Sequence, residues 1–157
     1  SIKQKMTVFD HIIAGNIPAS FVHQDGICVA FLDIRPISMG HVLIVPRQSV
    51  ATMAELEHDV QMHLWNVAQR IALAQQRSLG SGAQHFLMND GPVANQSVPH
   101  VHLHVIPRYA ADGWKTLRLL ARNVAMLKIR PTENASARRQ FDQIAQKIAT
   151  AMSENSA

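Results

Sequence analysis

The chain has 157 residues, 47% hydrophobic and 17% charged, with a formal net charge of +4. That length suits one domain with a sizeable core, and the balance of apolar to charged residues excludes a disordered chain. No apolar run reaches the ~18 residues of a membrane helix. The single cysteine, Cys28, excludes an intramolecular disulfide and a cage built of thiolates. The charge is uneven: residues 1–107 hold six Lys/Arg against seven Asp/Glu, residues 108–157 nine against four. A basic tail can attract phosphates or nucleic acid. Too few aromatic side chains are interleaved with these charges to form a stacking platform, so a solvated helix face is the better reading and nucleic acid is not an expected partner.

The first ten residues, SIKQKMTVFD, carry lysines but no apolar core of a signal peptide behind them, so a cytoplasmic protein is expected. Thr7 suits a helix N-cap, Gly15 a helix end, and Phe9, Ile12 and Ile13 form a short apolar stripe. Two strand-like runs then flank Asp25-Gly26, a dipeptide that favours a tight hairpin. Cys28 lies in the second run, GICVAFLD, and reads as a buried, inert thiol. IRPISMG is a loop, with Pro36 opposing pairing and Gly40 ending it, and HVLIVP is a third strand buried on both faces.

The longest helical pattern begins at Thr52, where Glu55 completes a capping box, and ends at Gly80. Leu56, Val60, Leu64, Val67, Ile71 and Ala74 recur along it at helical spacing. AQHFLMN is a fourth strand, DGPVANQSV a polar loop, and PHVHLHVIPR a fifth strand bounded by Pro99 and Pro107. Around WKTLRLLARNVAMLKI the pattern is ambiguous. A final amphipathic helix spans about Ala137 to Met152, with Phe141, Ile144 and Ile148 on one face, and SENSA is expected to fray. The sum is an α+β fold with a mostly antiparallel five-stranded sheet, one long helix, a short N-terminal helix and a C-terminal helix.

Three histidines at alternate positions of one strand share a face, because successive strand side chains point to opposite sides. Val101, Leu103 and Val105 then pack inward while His100, His102 and His104 meet polar surroundings. Such a face can be plain polar surface, a metal site, or a centre for nucleophilic and acid–base chemistry by neutral imidazoles.

QSVPHVHLHVIPR resembles the signature of the histidine triad family. VFDHIIAGNIPAS, CVAFLDIRPISMGHVLIVPR and MNDGPVANQS are similar to further segments of that family in the expected order, so the resemblance covers about Phe9 to Arg108. It implies a single domain over 1–157, with its motif-bearing core at about 7–108 and a C-terminal extension over 109–157 that carries no family motif. It also implies a nucleotide hydrolase or transferase acting on the α-phosphate of nucleoside 5′-monophosphate derivatives, either phosphoramidates or dinucleoside polyphosphates, through a covalent nucleotidyl-histidine.

By position, His102 is then the nucleophile. His104 contacts the α-phosphate, His100 orients the nucleophile, and Ser97, Gln96 and Asn89 reach the phosphate and leaving group. Asp33 holds the ribose hydroxyls. Phe9, Ile12, Phe31 and Ile34 line the base pocket, and His41 is a fourth histidine beside the triad. The implied partners are a purine nucleotide and a second copy in a homodimer, with the long helix and an edge strand at the interface.

Many bacterial members carry a Cys-x-x-Cys at the first helix that binds a structural zinc; here those places read Thr7 and Asp10, so no metal is expected. No cofactor is required, although Mg2+ can accompany a polyphosphate substrate. The loop before the triad leans toward the dinucleotide hydrolases and the first helix toward the phosphoramidases, which leaves the leaving group open. A nucleotide-binding regulatory module with vestigial activity and a zinc metallohydrolase are the alternative readings.

Overall fold

The computed structural model describes residues 5–113, 118 and 134–154. Helix α1, Val8–Ile13, starts at a reciprocal cap: the Asp10 N–H donates to Thr7 Oγ1 at 3.1 Å, and the Thr7 N–H donates to Asp10 Oδ2 at 2.8 Å. Strands β1, Phe21–Gln24, and β2, Cys28–Leu32, form the hairpin expected around Asp25. The turn is displaced by one residue. Asp25 closes the ladder through its N–H to Cys28 O, and its Oδ1 accepts from the N–H groups of Ile27 and Cys28. Gly26 and Ile27 therefore make the bend, because the aspartate is worth more as a side-chain acceptor than as a central turn residue.

Strand β3, Val42–Pro46, is buried throughout. The Thr52–Glu55 capping box is present, but it caps only a 3-10 turn over Met53–Glu55. Leu56 adopts ψ 142°, which breaks the helical path, and α2 runs His58–Leu79. It ends at Gly80 with φ +74°, the left-handed conformation glycine adopts without penalty. Strand β4 is Ala83–Leu87, β5 is Leu103–Arg108, and α3 is Ala135–Ser153 with Asn134 as its N-cap. The ambiguous segment around Trp114–Ile129, residue 118 apart, and the last three residues lie outside the described residues.

The five strands form one antiparallel sheet in the order β1-β2-β3-β5-β4. Two apolar clusters flank it. The larger packs Cys28, Ala30, Leu32, Val42, Ile44, Leu103 and Val105 against the buried stripes of α2 and α3. The smaller packs Val29, Phe31, Leu43 and Val45 against Phe9 and Ile12 of α1. Alternate residues of β2 and β3 thus face opposite layers, and the fold is α+β as expected.

The fifth strand differs from its sequence expectation at both ends. His100 lies in a bend ahead of it, where the His100 N–H donates to Val98 O at 2.8 Å and the Val101 N–H to Val50 O at 2.9 Å. Pro107 lies inside the strand, opposite Gln84. Its carbonyl accepts from the Ser38 hydroxyl, so its nitrogen also faces that loop and the missing N–H costs no bond to β4. Among the described residues no helix is long and apolar enough to cross a membrane.

Candidate functional site

Val101, Leu103 and Val105 are fully buried in the larger cluster, so His102 and His104 project from the opposite face, beneath α1. The Phe9 ring meets His102 edge-to-face at 5.0 Å between centroids and His100 at 5.9 Å. The His102 and His104 rings are 5.0 Å apart, and those of His104 and His41 are 5.1 Å apart. The rings of His102, His104 and His41 therefore form one contiguous row, and Phe9 stands between His102 and the ring of His100. His41, His100 and His102 are almost inaccessible to solvent.

The hydrogen bonds fix which nitrogen carries each proton. His102 Nδ1 lies 2.8 Å from the carbonyl oxygen of His100. A carbonyl only accepts, so Nδ1 holds the proton and Nε2 of the neutral ring holds a free lone pair. His41 Nδ1 accepts the Ile37 N–H at 3.1 Å, so the proton of the neutral His41 ring is on Nε2. That Nε2–H donates to His104 Nδ1 at 2.9 Å, which in turn places the His104 proton on its own Nε2. A lone pair and an N–H donor thus stand on neighbouring rings.

Burial keeps these rings neutral. Desolvation, with the neighbouring histidines, pushes His104 down to about 3; desolvation, with His102 beside it, does the same to His41. Burial also lowers His102, against the opposing effects of the His100 carbonyl and Asp33. Asp33 moves the other way, raised by burial despite the Arg35 N–H it accepts and the histidines nearby. Its Oδ2 is 3.6 Å from His41 Nε2.

His100 is committed on both sides. Its Nε2 donates to Pro46 O at 2.8 Å, and its Nδ1 stands 2.9 Å from the Thr7 hydroxyl. Asp10 Oδ2 gathers the Thr7 N–H, the Thr7 hydroxyl and the Ser49 hydroxyl, within 2.8–3.1 Å. Desolvation raises the Asp10 carboxyl, but these donors and His100 outweigh it and hold the group below its ordinary value.

The other expected residues divide by position. Phe9, Ile12 and Phe31 are buried in the smaller cluster, whereas Ile34 is 44% exposed. Gln96 is spent on its own loop: Oε1 accepts the Gly91 N–H and Nε2 donates to Ala51 O, both at 2.7 Å. Ser97 is exposed and Asn89 half-buried. Sequence reasoning missed two groups of residues. Ser49 joins the His100 network, and its only signal was a hydroxyl just after a strand. Gln75, buried in the α2 stripe, donates to Gly40 O at 2.9 Å and Val105 O at 3.1 Å, tying the helix to the strand and loop that carry His104 and His41. A lone amide within an alanine-rich stripe was the available hint.

The HIT domain family model matches residues 14–111, and the chain belongs to that family. An uncharacterized HIT-like protein of Mycobacterium tuberculosis is 35% identical over 144 residues, covering 92% of this chain and 96% of the relative. The adenosine 5′-monophosphoramidase of Schizosaccharomyces pombe is 33% identical over 101 residues, covering 64% and 73%. Among solved structures, the zinc-bound histidine triad family protein of Mycobacterium smegmatis superposes with a TM-score of 0.74 at 27% identity, covering 95% and 94%.

The structural zinc that a Cys-x-x-Cys would hold at the first helix does not suit the residues here. Thr7 and Asp10 stand at those places, a hydroxyl and a carboxylate already hydrogen-bonded to each other where two thiolates are needed, and both nitrogens of His100 already have partners. Hydrogen bonds join α1 to the triad at this point.

Proposed function

We propose that the chain is a nucleotide hydrolase or transferase in which His102 attacks the α-phosphorus of a nucleoside 5′-monophosphate derivative. The observation that carries this reading is the His102 Nδ1–H bond to the His100 carbonyl, which leaves Nε2 with its lone pair beside the His104 N–H. In the first step that lone pair forms the N–P bond while the bond from phosphorus to the leaving group breaks. The His104 Nε2–H donates to a non-bridging oxygen as charge builds there. The exposed Ser97 hydroxyl donates to the departing atom. Water then attacks phosphorus, the N–P bond breaks, and the nucleoside monophosphate leaves. Splitting the transfer in two lets each step expel a good leaving group.

His100 positions the nucleophile through its carbonyl, and His41 sets the tautomer of His104. Gln96 braces the loop that presents Ser97, and Asn89 lies at its start. Asp33 accepts from ribose hydroxyls. Phe9, Ile12, Phe31 and the exposed Ile34 receive a purine. The relative named as a monophosphoramidase supports a phosphoramidate leaving group. A dinucleoside polyphosphate with its own Mg2+ is the second substrate class. Exposed Met62, Trp65 and Leu73 on α2, with Phe86 and Leu87 on the open edge strand β4, support a twofold homodimer through that face.

Asp33, His41 and His104 bring ligand atoms within 4.8 Å of one another, the geometry a metallohydrolase would use. The His41–His104 bond and the Ile37 N–H already occupy the inward nitrogens, which disfavours that reading. The test is turnover of adenosine phosphoramidate and diadenosine polyphosphates by wild type and His102→Ala, with and without a chelator. His102→Ala should lose at least about 10³-fold in kcat while nucleotide affinity stays within a few-fold. An intact-mass adduct of one nucleotidyl group should form on wild type alone. Undiminished turnover in the variant sinks the mechanism, wild-type binding without turnover favours the regulatory module, and phosphoramidate turnover lost with the chelator and recovered with zinc favours the metal.

A further inference from the structure

A second cluster of ligand-bearing side chains lies on the other face of the sheet. Cys28 belongs to the core layer under α2, whereas the triad lies under α1. At this end of the β1–β2 hairpin, Asp25 Oδ2 is 2.7 Å from His23 Nε2 and 2.7 Å from His63 Nε2, and the Cys28 thiol reaches it at 3.7 Å. The ligand atoms of His23, Asp25 and Cys28 all lie within 4.8 Å of one another. His23, Asp25 and Cys28 thus converge on one point, and His63 of α2 meets the same Asp25 oxygen.

We propose that His23, Asp25, Cys28 and His63 form a site for a borderline-soft divalent cation, zinc by the chemistry of the donors. Two imidazoles, one carboxylate and one thiolate are the donor types of four-coordinate zinc. The backbone prepares the site. Asp25 Oδ1 is held by the N–H groups of Ile27 and Cys28, which aims Oδ2 at the centre, the kind of outer support that orients metal ligands. Three of the ligands come from one hairpin, so a fourth from α2 completes the set with little ordering. The two imidazoles and the carboxylate are 16–29% exposed, which leaves an entry path.

With bonds of about 2.0–2.1 Å to nitrogen, tetrahedral donors stand about 3.3 Å apart. The 2.7 Å contacts therefore open by less than about 1 Å, within reach of side-chain rotation. On binding, the Cys28 thiol releases its proton to solvent, and each imidazole carries its proton on Nδ1 so that Nε2 binds the ion. The cation would staple the hairpin to α2, and its role is structural. The first-helix sequence that argued against zinc has no bearing on this site.

The test uses the full chain, stripped with a chelator and dialysed, then titrated with ZnCl2. Wild type should bind one equivalent at this site and gain thermal stability, since a ligand of the native state stabilises it by mass action. X-ray absorption of the zinc-loaded protein should show one sulfur neighbour at about 2.3 Å. His63→Gln, on a partly exposed helix position, should keep its metal-free melting temperature and lose at least about 100-fold in zinc affinity. His102→Ala should bind zinc as wild type does. The proposal fails if no sulfur is found, if His63→Gln binds as wild type, or if His102→Ala abolishes binding and so assigns the ion to the triad. Failure of the turnover experiments above would leave this proposal standing.

Discussion

Acid should unfold this protein through the same imidazoles that make its site. His41 and His104 are held near 3 by burial, against about 6.5 in an unfolded chain. Their native pKa values are depressed, so the unfolded state binds more protons between those limits. Stability is then fully present above pH 6.5 and is lost as pH falls toward 3. At pH 5 each ring costs about 2 kcal/mol, roughly 4 kcal/mol for the pair, and the slope between pH 6 and 5 is roughly 2.5 kcal/mol per pH unit. The lowered His102 adds to the same slope. Asp33, raised by burial, works in the opposite direction at lower pH. Urea unfolding at half-unit intervals from pH 7.5 to 5 measures the slope directly. His41→Gln removes one of the three titrating rings, so its slope should fall by at least about a third. Flat stability across that range, or an unchanged slope in the variant, would refute the assignment of these rings as buried and neutral.

Two further outcomes follow from the fold. Gly40 has φ +86°, and a Cβ there would collide with Leu79 Cδ1. Gly40→Ala should lower stability by about 1–3 kcal/mol in the same urea assay and impair turnover through its neighbour His41; a loss under about 0.5 kcal/mol would contradict the strained backbone. Trp65 and Phe86 meet edge-to-face at 6.1 Å on the exposed α2–β4 face. The double variant Trp65→Glu/Phe86→Glu should run as a monomer in light scattering where wild type runs as a dimer; a monomeric wild type, or a variant that still pairs, removes this face as the interface.

The alternation of histidine with valine and leucine was readable because an extended chain has a period of two; it separated the layer under α2 from the histidine layer under α1, but not the burial of His100 and His102 or the start of β5 at Leu103. The α2 stripe and Gly80 were readable for the matching reason in a helix. Boundaries were harder. The Thr52–Glu55 box is a local signal, and nothing local announces that Leu56 turns extended and delays α2 to His58. Pro107 looked like a stop because its tolerance depends on which side its nitrogen faces, a property of the neighbouring Ser38 loop. The tautomer chain from Ile37 through His41 to His104 spans nearly 70 positions and exists only once the sheet has formed. Ser49 and Gln75 were missed because their value lies in partners distant along the chain.

The joint between the first helix and His100 has a physiological consequence. Thr7, Asp10 and Ser49 neither oxidise nor wait for an ion. A cell starved of trace metal, or flooded with peroxide, would find this lid over the imidazoles still seated.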